Sequence, residues 1–256
     1  MVDIKLVLTD MDGTIVKAGS HEVSESVREA VIACENRGIK VAAVTGRPYE
    51  KALPSLEILG FDGLCVFDNG ASIRDVKSGE LVWSKWLDAG TVRQIAGILV
   101  PDAIYIDYAP QLDLHEPADN ELDRIAAIAE PAPYVFVRVP IATLPTLNEQ
   151  LDQINGITYY NTVERADIPG YRGIQVNHIE ADKFHGVAAL RSINGISYEE
   201  TLAIGDDTND LAFFRNAGLT IAMGNAHDDV KQAADYTVAD IDHDGFVEAM
   251  NRFVLD

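Results

Sequence analysis

The sequence predicts an α/β fold in which an open parallel sheet is interrupted by an inserted α+β domain. Short apolar runs alternate with amphipathic segments over residues 1–78, and the same alternation returns over residues 182–256. Apolar strands separated by helices are typical of a parallel sheet that is covered on both faces. Residues 79–181 instead contain strand patterns in hairpin-like succession, which indicates a second domain inserted into the first.

The first segment contains three predicted strands joined by two predicted helices. The strands are apolar runs at 4–8, 39–44 and 64–67. The helices are expected at 24–38 and 49–59, since apolar residues recur there at helical spacing. Ser24 is a plausible N-cap for the first helix, and Gly38 and Gly60 follow the two helices in positions that favour termination.

The final segment, 182–256, and the inserted segment, 79–181, have different patterns of predicted strands and helices. The final segment has predicted helices at 183–193 and around 211–217, strands at 201–204 and 219–223, and amphipathic stretches near 230 and 246–253. The inserted segment has predicted strands at 81–83, 105–108, 134–139, 157–160 and 173–177, with helices at 91–99 and 144–154. The first pattern continues the parallel sheet, whereas the second is typical of an α+β domain.

Composition and charge limit the classes of function. The 256 residues include 20 basic and 41 acidic side chains, a net charge of −21, which argues against nucleic acid or an anionic membrane as the main partner. The two cysteines lie in apolar stretches and indicate a reduced compartment. No apolar run reaches the roughly 18 residues of a membrane span, and we expect a cytoplasmic protein without a signal peptide.

The first chemical signal is the string Asp10-Met11-Asp12-Gly13-Thr14, directly after the first predicted strand. Two carboxylates so close together resist joint ionisation unless a cation intervenes. Asp10 could therefore serve as a metal ligand and nucleophile, while Asp12 could keep a proton and act as an acid. A turn that carries two surface acids is the structural alternative.

Three further signals also lie next to predicted strands or helices. The segment from Gly205 to Asp210 offers three carboxylates and an amide, a donor set that suits Mg²⁺, although capping of an acidic helix explains it equally well. Thr45-Gly46-Arg47 could hold phosphate oxygens, and by itself it is more typical of a plain turn. Lys183 begins a helix, and a lone lysine is usually a solvated charge.

Together the four segments resemble the haloacid dehalogenase superfamily. Asp10-x-Asp12-Gly13-Thr14 is similar to its first motif, Thr45 to the second, Lys183 to the third and Gly205-Asp206-x-x-Asn209-Asp210 to the fourth. Three further strings resemble the Cof-type branch, namely Asn69-Gly70-Ala71, Lys183-x-x-Gly186 and Gly224-Asn225-Ala226. The resemblance implies a Rossmann-like core at 1–78 and 182–256, and a C2-type cap at 79–181 that closes over the site and selects the substrate.

The resemblance also implies roles for individual residues. Asp10 would form an aspartyl-phosphate, and Asp12 would act as general acid and base. Thr45 and Lys183 would bind the phosphoryl group. Mg²⁺ would be held by Asp10, the backbone carbonyl of Asp12 and Asp206, with Asp210 as a further ligand or support, and Asn209 would orient this cluster.

The function expected from these features is Mg²⁺-dependent hydrolysis of a small phosphomonoester. Residues 79–181 carry 6 basic and 15 acidic side chains, which favours a small phosphorylated metabolite such as a sugar phosphate or phosphoglycolate over a polyphosphorylated or polymeric one. A sugar phosphomutase and a non-catalytic metal- or phosphate-binding protein on the same fold remain as alternatives. The sequence does not predict the oligomeric state or the individual substrate.

Overall fold

The computed structural model describes residues 3–17, 22–103, 105–108, 112–114, 130–162, 164 and 166–255. The chain divides into two compact units, Met1–Ser84 with Asp182–Asp256, and Lys85–Ala181. The sequence prediction begins the insert at residue 79, whereas residues 79–84 belong to the first unit in the structure. None of the helices among the described residues has the length and hydropathy required to cross a bilayer.

The secondary structure comprises the following strands and helices. The strands are β1 (Leu6–Thr9), β2 (Lys40–Ala43), β3 (Leu64–Phe67), β4 (Ser72–Asp75), β5 (Leu81–Ser84), β6 (Tyr105–Tyr108), β7 (Leu112–Leu114), β8 (Tyr134–Pro140), β9 (Ile157–Asn161), β10 (Tyr171–His178), β11 (Thr201–Gly205), β12 (Leu219–Ala222) and β13 (Tyr236–Thr237). The helices are α1 (Glu25–Asn36), α2 (Tyr49–Leu59), α3 (Ala89–Leu99), α4 (Leu144–Leu151), α5 (Lys183–Asn194), α6 (Leu211–Phe214), α7 (Asp228–Ala233) and α8 (Gly245–Met250).

The core of the first unit is a parallel sheet with the strand order β13-β12-β11-β1-β2. Strand β1 lies between β11 and β2, and all four of its residues are buried. Leu6 lies opposite Thr201 on one side and Lys40 on the other, so β1, β2 and β11 run in register. Their carboxyl ends therefore lie at the same edge of the sheet, and this edge is where ligands bind in open α/β sheets.

Strand β3 connects the parallel sheet to an antiparallel one that the sequence did not predict. It joins β2 through a parallel bridge between Val44 and Val66, and it then pairs antiparallel with β4. The chain reverses in the turn Asp68–Gly70, where both Asp68 and Asn69 have positive φ angles of 54° and 57°. The antiparallel sheet β3-β4-β5 is thus an extension of the first unit, and it accounts for residues 79–84 lying there.

The helices of the first unit bury one apolar face each. On α1 the buried residues Val27, Ala30, Val31 and Cys34 recur at the spacing that places side chains on one side of a helix. Helix α2 ends at Gly60 in the left-handed conformation, with φ at 88°, which a glycine adopts without strain. The predicted ends of these helices therefore agree with the structure to within two residues.

The second unit is built on an antiparallel sheet with the order β7-β6-β8-β10-β9. In β8 the buried residues Val135, Val137 and Val139 alternate with half-buried ones. They form an apolar core with residues of α3 and α4, including Ile95 and Leu147. A sheet with one apolar face covered by helices is the α+β arrangement expected for this segment.

Candidate active site

The candidate site lies at the carboxyl edge of the parallel sheet. Asp10 follows β1, Thr45 comes two residues after β2, and Asp206 follows β11. The backbone N–H of Asp10 donates to the carbonyl of Ile204 at 3.0 Å, so the loop after β1 begins beside β11. The sheet therefore gathers residues that are almost 200 positions apart in the sequence.

Lys183 lies between two of the carboxylates. Its Nζ donates to Oδ1 of Asp10 at 2.5 Å and to Oδ1 of Asp210 at 2.7 Å, and its side chain is only 1% exposed. Asp182 caps α5 by accepting from the N–H of His185, which places Lys183 at the first position of the helix. Burial lowers the pKa of Lys183, but Asp10 and Asp210 together raise it above its ordinary value. The ammonium is therefore a permanent positive charge in the site.

One such cation does not balance the negative charge around it. The pKa of Asp10 is raised to about 7, mainly by burial and also by the charge of Asp210, against the opposing effect of Lys183. The pKa of Asp206 is likewise raised to about 6, mainly by burial and also by Asp210, against the lowering effect of a hydrogen bond from Thr14. Carboxyl groups that are this difficult to ionise together are typical of a site that gains a cation.

The arrangement of the carboxylates fits a divalent metal. Asp10, Asp206 and Asp210 each offer one oxygen, and these oxygens lie within 4.8 Å of one another. Oδ2 of Asp210 accepts from the backbone N–H groups of Asp206 and Asp207 at 2.9 Å and 3.0 Å, so this buried carboxylate has a fixed orientation. Three hard oxygen donors on a rigid frame are the donor type that Mg²⁺ and similar ions prefer.

Asp12 lies in a different environment from Asp10. Arg47 holds its carboxylate with two hydrogen bonds, from Nε to Oδ2 at 2.8 Å and from Nη2 to Oδ1 at 2.6 Å. The Asp12 side chain is 38% exposed, whereas that of Asp10 is 8% exposed. The Asp12 carboxylate does not belong to the metal-type cluster found among the described residues. The two carboxylates therefore have separate partners.

The loop after β1 is fitted closely around Asp206. Thr14 donates from Oγ1 to Oδ1 of Asp206 at 2.8 Å, and Asn225 donates to Oδ2 at 3.3 Å. Gly13 has a φ of +87°, and a Cβ at this position would lie 2.2 Å from Oδ2 of Asp206. Glycine is required here because any side chain would displace the carboxylate.

Thr45 is buried and is connected to the neighbouring loops by several hydrogen bonds. Its hydroxyl accepts from the N–H of Arg47 at 3.1 Å, and its carbonyl accepts from the N–H of Asn69 at 3.0 Å. The N–H of Asp68 donates to the carbonyl of Arg47 at 3.1 Å. The loops after β2 and β3 thus form one unit, and the Thr45 hydroxyl is placed beside the residue that holds Asp12.

The structure brings together most of the residues singled out in the sequence. Asp10, Lys183, Asp206 and Asp210 are in direct contact or in one cluster. Asn209 is exposed, and the described part of the chain provides no hydrogen bond to its side chain. The functional roles assigned to these residues stay predictions.

Sequence reasoning gave no role to Arg47 or Asn225, although both lie in strings noted there. Arg47 completes the Thr45-Gly46-Arg47 turn and pairs with Asp12, 35 positions away in the sequence. Asn225 follows β12 and reaches Gly13 and Asp206. A search for polar residues directly after every strand of the parallel sheet, β12 included, could have found both.

The chain is similar to known hydrolases over nearly its whole length. The family model of haloacid dehalogenase-like hydrolases matches residues 7–114 and 141–250. The chain is 27% identical to a phosphoglycolate phosphatase of Methanobrevibacter smithii, over 99% of this chain and 100% of that protein. It is also 27% identical to a 5-amino-6-(5-phospho-D-ribitylamino)uracil phosphatase of Bacillus subtilis, over 99% of this chain and 97% of that protein.

A solved structure supports the same assignment at the level of the fold. A haloacid dehalogenase-like hydrolase from Bacteroides thetaiotaomicron superposes with a TM-score of 0.75 at 26% identity, covering 98% of this chain and 99% of that one. The matches extend over nearly the whole length of both partners. The two relatives matched by sequence are named phosphatases. The chain therefore belongs to the haloacid dehalogenase-like hydrolases, and it is a phosphoric monoester hydrolase.

Proposed function

We propose that this phosphatase hydrolyses a small phosphomonoester in two steps, through an aspartyl-phosphate on Asp10. The observation that carries the proposal is the placement of Asp10 against Lys183. Lys183 donates to Oδ1 of Asp10, and this contact leaves Oδ2 as the oxygen that attacks phosphorus. The ammonium offsets the charge of the carboxylate and of the incoming phosphoryl group. A carboxylate nucleophile of this kind divides hydrolysis into two displacements.

Asp12 is the group we assign to proton transfer. In the first step it gives a proton to the oxygen of the departing alcohol, and in the second it removes a proton from the attacking water. Its position two residues after Asp10 places it in the same loop, and its partial exposure leaves it accessible to an oxygen that enters from solvent. We assign the hydroxyl of Thr45 and the N–H of Gly46 to the binding of phosphoryl oxygens, since the N–H of Arg47 already donates to that hydroxyl.

We propose Mg²⁺ as the required metal. Asp10, Asp206 and Asp210 would hold it, together with the backbone carbonyl of Asp12. When bound, the ion supplies positive charge to the phosphoryl oxygens during transfer. The donor set supports this assignment, since all three side chains are carboxylates and none is a sulfur or imidazole ligand.

We assign the substrate to small monophosphates of the sugar phosphate or phosphoglycolate class. The acidic composition of the chain, 41 acidic against 20 basic residues, disfavours polyanions. Two relatives act on small monophosphates, one on phosphoglycolate and one on a phosphorylated ribityl compound. Both are compact molecules with a single phosphate and further polar groups, and a panel of such compounds is the appropriate screen.

The test is phosphate release from p-nitrophenyl phosphate with Mg²⁺ and then with EDTA, for the wild type and an Asp10→Asn variant. The proposal predicts metal-dependent turnover for the wild type, and acid-quenched protein that carries covalent phosphate only when Asp10 is present. Turnover that survives in EDTA would contradict the metal requirement. Turnover without Asp10 would exclude the covalent route through this residue. With a sugar phosphate as substrate, an isomerised sugar phosphate in place of free phosphate would identify a mutase.

A further inference from the structure

Both the nitrogen and the oxygen of the Asn225 side-chain amide form hydrogen bonds. Its Nδ2 donates to the carbonyl of Gly13 at 2.8 Å and to Oδ2 of Asp206 at 3.3 Å. Its Oδ1 accepts from the backbone N–H of Ile241 at 3.0 Å. Three segments distant in sequence, after β1, after β11 and before α8, therefore meet on one exposed side chain.

An amide is the side chain whose chemistry fits these three partners. Two acceptors and one donor face Asn225, and a primary amide offers two hydrogens and one carbonyl oxygen. A carboxylate at this position would turn both donations into repulsive contacts with oxygens. A hydroxyl has one hydrogen and is shorter, so it could satisfy only one of the two acceptors.

The hydrogen bond to Asp206 complements the one from Thr14. Thr14 donates to Oδ1 and Asn225 donates to Oδ2, so both oxygens of the carboxylate are oriented by neutral donors. Each oxygen keeps lone pairs for a cation, because a carboxylate has about four acceptor positions. Groups that orient a ligating carboxylate in this way typically contribute to metal affinity.

We propose that Asn225 is a positioning residue for the divalent cation. It fixes the Asp206 carboxylate and the Gly13 segment in the arrangement that binds the ion, and it ties both to the segment at Ile241. This inference rests on the proposed function, since it assumes that the Asp10, Asp206 and Asp210 cluster binds Mg²⁺. Asn225 is exposed, so its side chain fills no part of the core and can be removed without leaving a cavity.

The direct test is titration of the substrate-free protein with Mg²⁺ alone, measured by isothermal titration calorimetry. We expect Asn225→Ala to weaken Mg²⁺ binding about ten-fold, the lower end of the range for residues that orient metal ligands. The control is Asn36→Ala, an exposed asparagine at the end of α1, and it should bind Mg²⁺ as the wild type does. In EDTA the melting temperature of Asn36→Ala should shift by less than about 2 °C, and that of Asn225→Ala, which loses three hydrogen bonds, by only a few degrees.

A kinetic measurement separates positioning of the metal from contact with substrate. In Asn225→Ala, the Mg²⁺ concentration for half-maximal hydrolysis of p-nitrophenyl phosphate should rise about ten-fold, with kcat at saturating Mg²⁺ within about three-fold of wild type. An unchanged Mg²⁺ affinity would overturn the proposal, and a raised KM for the ester with normal Mg²⁺ binding would assign Asn225 to the substrate. A wild type that does not bind Mg²⁺ would contradict the proposed function itself.

Discussion

Arg47 donates hydrogen bonds to both carboxylate oxygens of Asp12, from Nε to Oδ2 at 2.8 Å and from Nη2 to Oδ1 at 2.6 Å. The parallel hydrogen bonds fix the plane of the Asp12 carboxylate, which a single contact would not do. Asp12 raises the pKa of the Arg47 guanidinium, against the lowering effect of burial. The general acid and base of the proposed mechanism is thus oriented by a residue from the loop after a different strand.

The Arg47 pair predicts a difference between two substitutions. Arg47→Lys keeps the positive charge but loses the bidentate hydrogen bonding to Asp12, and we expect kcat to fall about ten-fold. Arg47→Ala should lower kcat further, because Asp12 then loses both hydrogen bonds and the neighbouring positive charge. Steady-state hydrolysis of p-nitrophenyl phosphate measures both effects. Arg28→Ala, which removes an exposed arginine paired with Glu25 on α1, is the control and should leave kcat unchanged. A fully active Arg47→Ala variant would refute the orienting role.

Lys183 predicts a link between stability and metal binding. Replacing it with methionine leaves Asp10 and Asp210 buried without their shared cation. Breaking a buried ion pair in this way costs about 3–5 kcal/mol of unfolding free energy, which urea unfolding in EDTA would measure. Saturating Mg²⁺ should recover part of that loss, since a cation in the same cluster replaces the missing charge.

The control for this prediction is Lys5→Met, because Lys5 forms an exposed ion pair with Glu200. Exposed pairs contribute little to stability, so the variant should unfold close to the wild type. Equal stability of Lys183→Met and wild type in EDTA would show that the buried ion pairs contribute nothing net.

Much of the fold could be predicted because the parallel strands are short and apolar throughout. The predicted strand at 64–67 has the same limits as β3, and the predicted helix at 49–59 has those of α2. Strand β4 was missed, because its Ser-Ile-Arg-Asp sequence has a single apolar residue and forms only through the turn Asp68–Gly70. Tertiary pairing determines such a strand, and local pattern does not reveal it.

In the site too, residues that cluster in the sequence could be predicted, whereas contacts between distant loops could not. Asp10, Asp12, Asp206 and Asp210 could be singled out because acids cluster within a few residues after a strand. Lys183 stands alone in the sequence, and only the family resemblance drew attention to it. The partnerships of Arg47 with Asp12 and of Asn225 with Asp206 join distant loops, so no spacing in the sequence encodes them.

Glu35 predicts a pH dependence of stability away from the site. Burial and then the nearby charge of Asp62 raise its pKa from 4.5 to about 7. The folded protein therefore holds this proton more tightly than the unfolded chain. The contribution of Glu35 to the free energy of unfolding is therefore greatest below about pH 4.5. It falls as the pH rises towards 7 and stays low above that.

The measurement is the melting temperature of Glu35→Gln compared with wild type between pH 4 and pH 8. We expect the variant to be more stable at pH 8 and equal to wild type near pH 4, because glutamine carries no charge to desolvate. Glu29→Gln, an exposed substitution on the same helix with the same change in charge, should show no such dependence. A constant difference across the range for Glu35→Gln would contradict the raised pKa.

Gly70 predicts that backbone geometry couples the turn after β3 to Lys183. Its φ is +105°, and a Cβ there would lie 1.9 Å from the carbonyl oxygen of Asp182, the residue that caps α5. Gly70→Ala must therefore shift the start of α5, and we expect a loss of more than about 2 kcal/mol in stability together with reduced activity.

The matched control is Gly97→Ala in α3, where an added Cβ meets no atom within 4 Å. Alanine is the better helix former, so this variant should gain about 0.5–1 kcal/mol. The same chemical change is thus expected to have opposite signs at the two positions, which urea unfolding would measure directly. A neutral Gly70→Ala variant with full activity would mean that the turn can move away from Asp182 without disturbing Lys183.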